Sequence, residues 1–165
     1  MKWTFGIPLA PHGDGRAKSA VIAGHVHLYR DEKDIRWQDI IAFAADRVIP
    51  REVIEGAMRV DVLALLPRPK RLLKRSKRTG ELLGGAEEGL MWAPVMPDRD
   101  NIDKAILDGL KAIWRDDQQV CFGWIAKCYA EANGRPRLIV TVWTDLGPVP
   151  ESLQRFAAET AIMDF

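Results

Sequence analysis

Six carboxylates, Asp98, Asp100, Asp103, Asp108, Asp116 and Asp117, fall within twenty residues of this chain, with Lys104 among them. Like charges repel, so a fold that gathers such groups is disfavoured unless something positive sits between them. A fold for this chain must therefore spread these side chains into solvent or supply a cation. A hard divalent ion such as Mg²⁺ is the simplest such cation, because carboxylate oxygens are its preferred ligands. Asp98 and Asp100 leave the same face of an extended segment, with Cα atoms roughly 6.5 Å apart. A helix expected over residues 101–114 carries Ile102, Ile106, Gly109, Leu110 and Ile113 on its inner face. Asp100 is its expected N-cap, and Lys104 and Asp108 follow on the same stripe. Asp116 and Asp117 close it, where the helix dipole disfavours negative charge, a local conflict of the kind that marks a site. The plain alternative makes Asp100 a cap with Asp103 as its partner, Asp98 a turn residue, and Lys104–Asp108 a surface pair worth a few tenths of a kcal/mol.

The formal charge of +1 says little about partners, but it hides a separation of sign. Between Arg68 and Arg78 there are seven basic residues and no acid. The interval between Pro67 and Pro97 is long for a simple connection. Its basic, Gly-rich part, at about 67–89, is read as a DNA contact made by Lys70, Arg71, Lys74, Arg75, Lys77 and Arg78, against the plainer reading of a solvated loop. Cys121 and Cys128 are seven apart and would face opposite sides of one strand, which argues against a disulfide or a shared metal. His25 and His27 lack a matched acidic ligand, and Gly84-Gly85 lacks the Lys-Ser/Thr of a phosphate loop. Gly6, Pro8 and Pro11 interrupt any leader-like run, and no segment approaches the ~20 apolar residues of a membrane span. A cytoplasmic protein with no membrane contact is expected.

At 165 residues and 47% apolar, the chain suffices for one domain, residues 1–165, with its own core. Residues 3–9 and 20–28 read as strands, 35–48 as a helix ended by Pro50, and 58–66 as a buried strand. A short apolar piece at 90–95 leads into Pro97-Asp98. Residues 120–129 and 138–143 read as strands joined through Asn133-Gly134, a hairpin signal, and 151–162 as a closing helix. The expected class is α+β: a mixed β-sheet with packed helices and a C-terminal β-hairpin followed by a helix.

Pro97-Asp98-Arg99-Asp100-Asn101, then Lys104, Asp108-Gly109-Leu110, Asp116-Asp117, Gln119-Val120 and Lys127, resembles the signature of the RusA-type Holliday junction resolvases. These are small homodimeric Mg²⁺-dependent endonucleases, common in prophages, that cut four-way DNA junctions. The tight likeness covers residues 97–127, and its ordered spacing is far more specific than a bare DxD. Upstream the likeness is looser but collinear, with a Gly/Pro loop carrying Arg16 and Lys18, then Tyr29 and Trp37.

The resemblance implies Asp98, Asp100 and Asp117 as metal ligands and catalytic carboxylates. It implies Lys104 as the cation near the scissile phosphate, Asn101, Asp108 and Asp116 as supporting residues, and Arg16, Lys18 and Lys127 on the DNA side. Mn²⁺ would substitute for Mg²⁺. The chain departs from the pattern at Met96, where a basic residue is usual, at Asp103, and in the loop His12-Gly13-Asp14-Gly15-Arg16. Trp92 and Trp114 flank the acidic segment in sequence, and an exposed ring there could stack on an unpaired base. The expected activity is Mg²⁺-dependent resolution of four-way junctions in recombination and repair. The alternatives are a nuclease of this fold acting on flaps or forks, and a junction-binding protein that does not cut.

Overall fold

The most apolar run of the chain lies at the centre of a sheet. A computed structural model describes residues 1–15, 18–50, 54–114 and 116–159. In chain order its elements are β1 (Lys2–Ile7), β2 (Lys18–Ile22), β3 (His25–Tyr29), α1 (Glu32–Asp46), β4 (Met58–Leu66), β5 (Met91–Trp92), α2 (Arg99–Gly109), β6 (Val120–Phe122), β7 (Ile125–Tyr129), β8 (Arg137–Trp143) and α3 (Glu151–Glu159). The main sheet runs β1-β8-β4-β7-β5, with β6 joining β4 beside β7. β4 is parallel to β6 and β7 and antiparallel to β8, while β1 with β8 and β5 with β7 are antiparallel pairs. The sheet is mixed and the class is α+β, as expected.

One face of the sheet carries the core. Phe5, Ile7, Val60, Val62, Ala64, Leu138, Val140 and Val142 alternate along their strands and meet Trp37, Ile41 and Ala45 of α1 and Ile102, Ala105 and Ile106 of α2. The period of two in the strands and of three to four in the helices places every one of these side chains on the shared face. The two helices approach closely at Gly109, where a Cβ would lie 2.9 Å from both Cβ and Cγ2 of Ile41. Gly109→Ala is therefore expected to destabilise by about 1–3 kcal/mol through overpacking. A urea midpoint equal to wild type would show that the helices can part without loss.

Several boundaries differ from the sequence-based expectation for physical reasons. Residues 20–28 are not one strand but part of the β2–β3 hairpin, which turns at Ala23 (φ 51°) and Gly24 (φ 81°). Two successive left-handed residues make the tight turn, and alanine in the first position gave no warning of it. α1 begins at Glu32, three residues earlier than the apolar periodicity suggested, because Asp31 accepts from the Lys33 N–H at 3.0 Å and caps a polar first turn. The expected run 120–129 breaks at Gly123, between β6 and β7.

The expected C-terminal hairpin does not form. The Asn133-Gly134 turn is present, closed by Gly134 N–H to the Glu131 carbonyl at 2.9 Å. β4 nevertheless lies between β7 and β8, paired to β8 from Arg59 to Leu65 and to β7 from Val62 to Leu66. A strand with both faces buried leaves no backbone group for water, so both of its edges need partners. α3 is described only to Glu159; the remainder of the expected closing helix lies outside the described residues.

The basic interval is folded. Arg68 is buried and donates to the carbonyls of Ala130 (2.8 Å), Glu87 (2.5 Å) and Gly89. Ser76 N–H to Glu81 and Leu83 N–H to Lys74, both 2.8 Å, close a small hairpin over Gly80. Arg75 pairs with Glu88 through two bonds of 2.6 and 2.9 Å. This strap explains how a long, highly charged segment remains ordered: its own arginines satisfy its carbonyls and acids.

Candidate active site

The approach to α2 is fixed from the sheet. Lys127, on β7, donates to the carbonyls of Val95 at 2.5 Å and Pro97 at 2.8 Å. The next residue, Asp98, has extended backbone angles (φ −67°, ψ 152°) and is the N-cap of α2, yet its side chain makes no capping bond. Asp100 is thus not the cap but lies in the first helical turn, exposed. Negative charge is favoured at this end of a helix. Among the described residues neither carboxylate has a hydrogen-bond or ion-pair partner, so both keep their oxygens for a ligand.

A second element builds the flank. The loop 11–15, between β1 and β2, lies on α2 so closely that a Cβ on Gly13 would fall 2.7 Å from the Pro97 Cβ and 3.0 Å from the Asn101 Cβ. The Asp14 N–H donates to the Asn101 carbonyl at 2.9 Å. Asp14 is buried, and its Oδ2 meets Lys104 Nζ at 3.0 Å. Asp34, also buried, holds the loop from α1 by accepting from Gly15 N–H at 3.1 Å and pairing with His12 Nε2 at 2.6 Å.

Opposite charges then alternate along the helix. Gln38 Nε2 lies 3.4 Å from both Asp14 Oδ2 and Asp108 Oδ2. Asp108 also meets Arg30 at 3.4 Å and Lys111 at 2.5 Å, and Lys111 reaches on to Asp117 at 3.7 Å. Burial pushes the Asp108 carboxyl up, but Lys111, Arg30 and Lys104 outweigh it and hold the group below its ordinary value. Trp114 is buried and donates from Nε1 to Asp117 Oδ1 at 2.9 Å.

Asp116 caps the short turn Asp117–Gln119, accepting from Gln118 N–H at 2.9 Å while Gln119 returns the bond to Asp116 N–H at 3.0 Å. The apparent conflict at a helix C-terminus is absent because α2 ends earlier, at Gly109, and this acidic pair opens a new turn. Asp103 turns away from Lys104. It is half-buried with Leu107 and Val120, where burial pushes its carboxyl up against the opposing charge of Arg99.

Asp98, Asp100, Asn101 and Lys104 are therefore gathered on the first turns of α2, and Asp108 and Asp117 are linked through Lys111. Among the described residues no three His, Cys, Asp or Glu side chains converge at metal-ligand separations, so Asp117 does not meet Asp98 and Asp100 at one point. The donors are all carboxylate oxygens, which fits a hard divalent cation and no soft one.

Of the residues expected on DNA, Lys70, Arg71, Lys74, Lys77 and Arg78 are exposed on the strap, and Arg75 is committed to Glu88. Lys127 is committed to backbone carbonyls. Arg16 lies outside the described residues, as does the side chain of Lys18. Trp92 is strongly exposed but does not flank the site. It pairs with Cys128, which pairs with Leu65, so it shares the face opposite the helices. Asp14, Arg30, Gln38 and Lys111 were missed by the sequence reading. Each lies far along the chain from the motif or reads as an ordinary surface residue, and only the loop 11–15, already set apart as a departure, gave a signal.

Paired carboxylates free to hold a hard cation, beside a lysine held on a buried acid, are the equipment of a phosphodiester-cleaving nuclease. Comparison with known sequences gives the same class. The pattern of the family described as Endodeoxyribonuclease RusA matches residues 8–143. The chain is also 31% identical over 144 residues to the uncharacterized protein YqaN of Bacillus subtilis (strain 168), an overlap of 86% of this chain and 94% of that protein. The chain belongs to the RusA endodeoxyribonuclease family.

Proposed function

We propose that this chain is a Mg²⁺-dependent, structure-selective endonuclease that resolves four-way DNA junctions by paired symmetric hydrolysis, acting as a homodimer in recombination and repair. The observation that carries the proposal is the placement of Asp98, Asp100 and Lys104 together on the first turns of α2, in the order and spacing of the family motif. Asp98 and Asp100, whose carboxylates have no partner among the described residues, would hold Mg²⁺, or Mn²⁺ in its place, which when bound supplies Lewis-acid polarisation of the phosphate and a more acidic water. Asp117, held apart by Trp114 and Lys111, would have to leave these partners to join them. Lys104 opposes the charge that develops on the phosphoryl oxygens and the leaving oxygen. Asn101 and Asp108 support it, the first by docking the loop 11–15 and the second by fixing Lys111 beside Asp117. Asp116 sets the turn that presents Asp117.

The exposed bases of the strap, Lys70, Arg71, Lys74, Lys77 and Arg78, neutralise phosphates, so binding weakens steeply with salt. A dimer suits a substrate with two related strands to cut. It is supported by the sheet face bearing Leu63, Trp92, Ile139 and Trp143, which neither α1 nor α2 covers. Among the described residues no helix is long and apolar enough to cross a membrane, and a cytoplasmic location accords with access to DNA.

Purified protein incubated with four-way, flap and linear duplex DNA, with Mg²⁺ and then with EDTA, tests this reading. Paired nicks at symmetric positions in the four-way substrate alone, lost in EDTA, are the expected result. Equal cutting of flaps would replace junction selectivity with a broader branched substrate, and binding without cutting would remove the enzymatic claim.

A further inference from the structure

The contact between Asp14 and Lys104 joins residues ninety positions apart, and its two ends differ in kind. The Asp14 side chain is 2% exposed and the Lys104 side chain 51%. The anion is desolvated and fixed, whereas the cation ends a flexible four-carbon stem. A buried carboxylate without a partner is strongly disfavoured, so this contact selects one arrangement of the lysine out of many. Asp14 itself is held at three points: its N–H on the Asn101 carbonyl at 2.9 Å, its Oδ2 near Gln38 Nε2 at 3.4 Å, and its neighbour Gly13 against Pro97 and Asn101. Asn101 and Lys104 are one helical turn apart, so the loop is in register with the residue it restrains.

We infer that Asp14 is a positioning residue that fixes the Lys104 ammonium on the stripe of α2 it shares with Asp100, ready to face a phosphate. An ammonium has three N–H donors; Asp14 accepts one and leaves two for phosphoryl oxygens. The loop 11–15 is then part of the catalytic apparatus through Lys104, although it carries none of the motif. The inference rests on the reading of Lys104 as the cation opposite the scissile phosphate. No bond is made or broken at Asp14.

The test is a double-mutant cycle in junction cleavage, using Asp14→Asn, Lys104→Ala and their combination, with melting temperature and junction binding recorded for each. Asp14→Asn is expected to lower kcat by about ten- to a hundred-fold, since a small misplacement of a catalytic group costs on that order. KM for the junction should stay near wild type, and adding Asp14→Asn to Lys104→Ala should cost nothing further. Gly13→Ala, which shifts the loop without touching a charge, is expected to give the same loss and the same dependence on Lys104.

Wild-type kcat in folded Asp14→Asn overturns the inference, as does a double variant whose loss is the product of the two single losses. If Asp14→Asn does not fold, Gly13→Ala in the two Lys104 backgrounds decides alone, and multiplicative losses there overturn it equally. Failure of the underlying reading looks different. Wild-type protein that cuts no branched DNA, or Lys104→Ala that cuts at full rate, removes the role of Lys104 and Asp14's with it. Active wild type, inactive Lys104→Ala and fully active Asp14→Asn removes only the role of Asp14.

Discussion

Asp100→Asn is expected to reduce junction cleavage by roughly a thousand-fold or more, as loss of one essential charge-stabilising group does, while leaving fold and DNA binding in place. An amide presents one neutral oxygen where the carboxylate offers two charged ones, so it cannot hold a hard cation as firmly. The structural cost should be small. Asp98, not Asp100, is the N-cap, and Asp100 is exposed in the first turn with no partner among the described residues. Only its favourable interaction with the helix dipole is lost, about 0.3–1 kcal/mol. For a chain of this size that is a fall in melting temperature of about 4 °C or less. Cleavage assays, gel-shift binding and a thermal melt on one preparation separate the outcomes. A large drop in melting temperature with lost binding would assign Asp100 to the fold, and full activity would remove it from the site.

Gly123→Ala is the substitution expected to damage the fold most. Gly123 has φ 155°, and a Cβ there would lie 1.9 Å from the Val60 carbonyl oxygen and 2.9 Å from its carbon. Both atoms belong to the backbone of β4, which is paired on both edges and cannot withdraw. The neighbouring Trp124 carbonyl accepts from the Val62 N–H at 2.8 Å, so the strain falls on the junction that joins β6 and β7 to the sheet. A loss of about 4 kcal/mol or more is expected, in the range kept for backbone collisions in a core. Gly89→Ala is the control, because a Cβ added there would have nothing within 4 Å and its φ is not left-handed. Chemical denaturation should place Gly89→Ala near wild type and Gly123→Ala far below it. Comparable midpoints would mean that β6 can detach from β4 at little cost.

What could be read in advance follows the range of the interaction concerned. Residues 58–66 carry their own evidence, an alternation that becomes continuously apolar, and β4 has those bounds. The class and the family were legible for the same reason, since the motif around α2 is local. The order of strands was not. Asn133-Gly134 signals a turn, but it holds no information about β4, seventy residues earlier, entering between the strands it connects.

Tertiary contacts divide both charge runs. The basic run divides into arginines that hold the strap together, Arg68 and Arg75, of which only Arg75 was expected on DNA, and lysines and arginines that face solvent. The acidic segment, already sorted by the family motif into expected ligands and supporting residues, holds carboxylates without partners among the described residues at Asp98 and Asp100 and a group neutralised by Lys111 and Arg30 at Asp108. Composition gives the sign of a segment. Which of its charges remain unspent depends on distant partners.

Lys127 gives the site a particular mounting. Its ammonium holds the carbonyls of Val95 and Pro97 on the approach to Asp98, and its own Cα is registered against Ala64 on the central strand. Asp98 is thereby referenced to the frame of the molecule and not to the surface loop that carries it. A slip between β7 and β4 would be carried through this bracket to Asp98, one of the carboxylates proposed to hold the cation. A random screen for lost cleavage should therefore return interior positions near Ala64 whose variants remain folded, faults of alignment in an intact chassis.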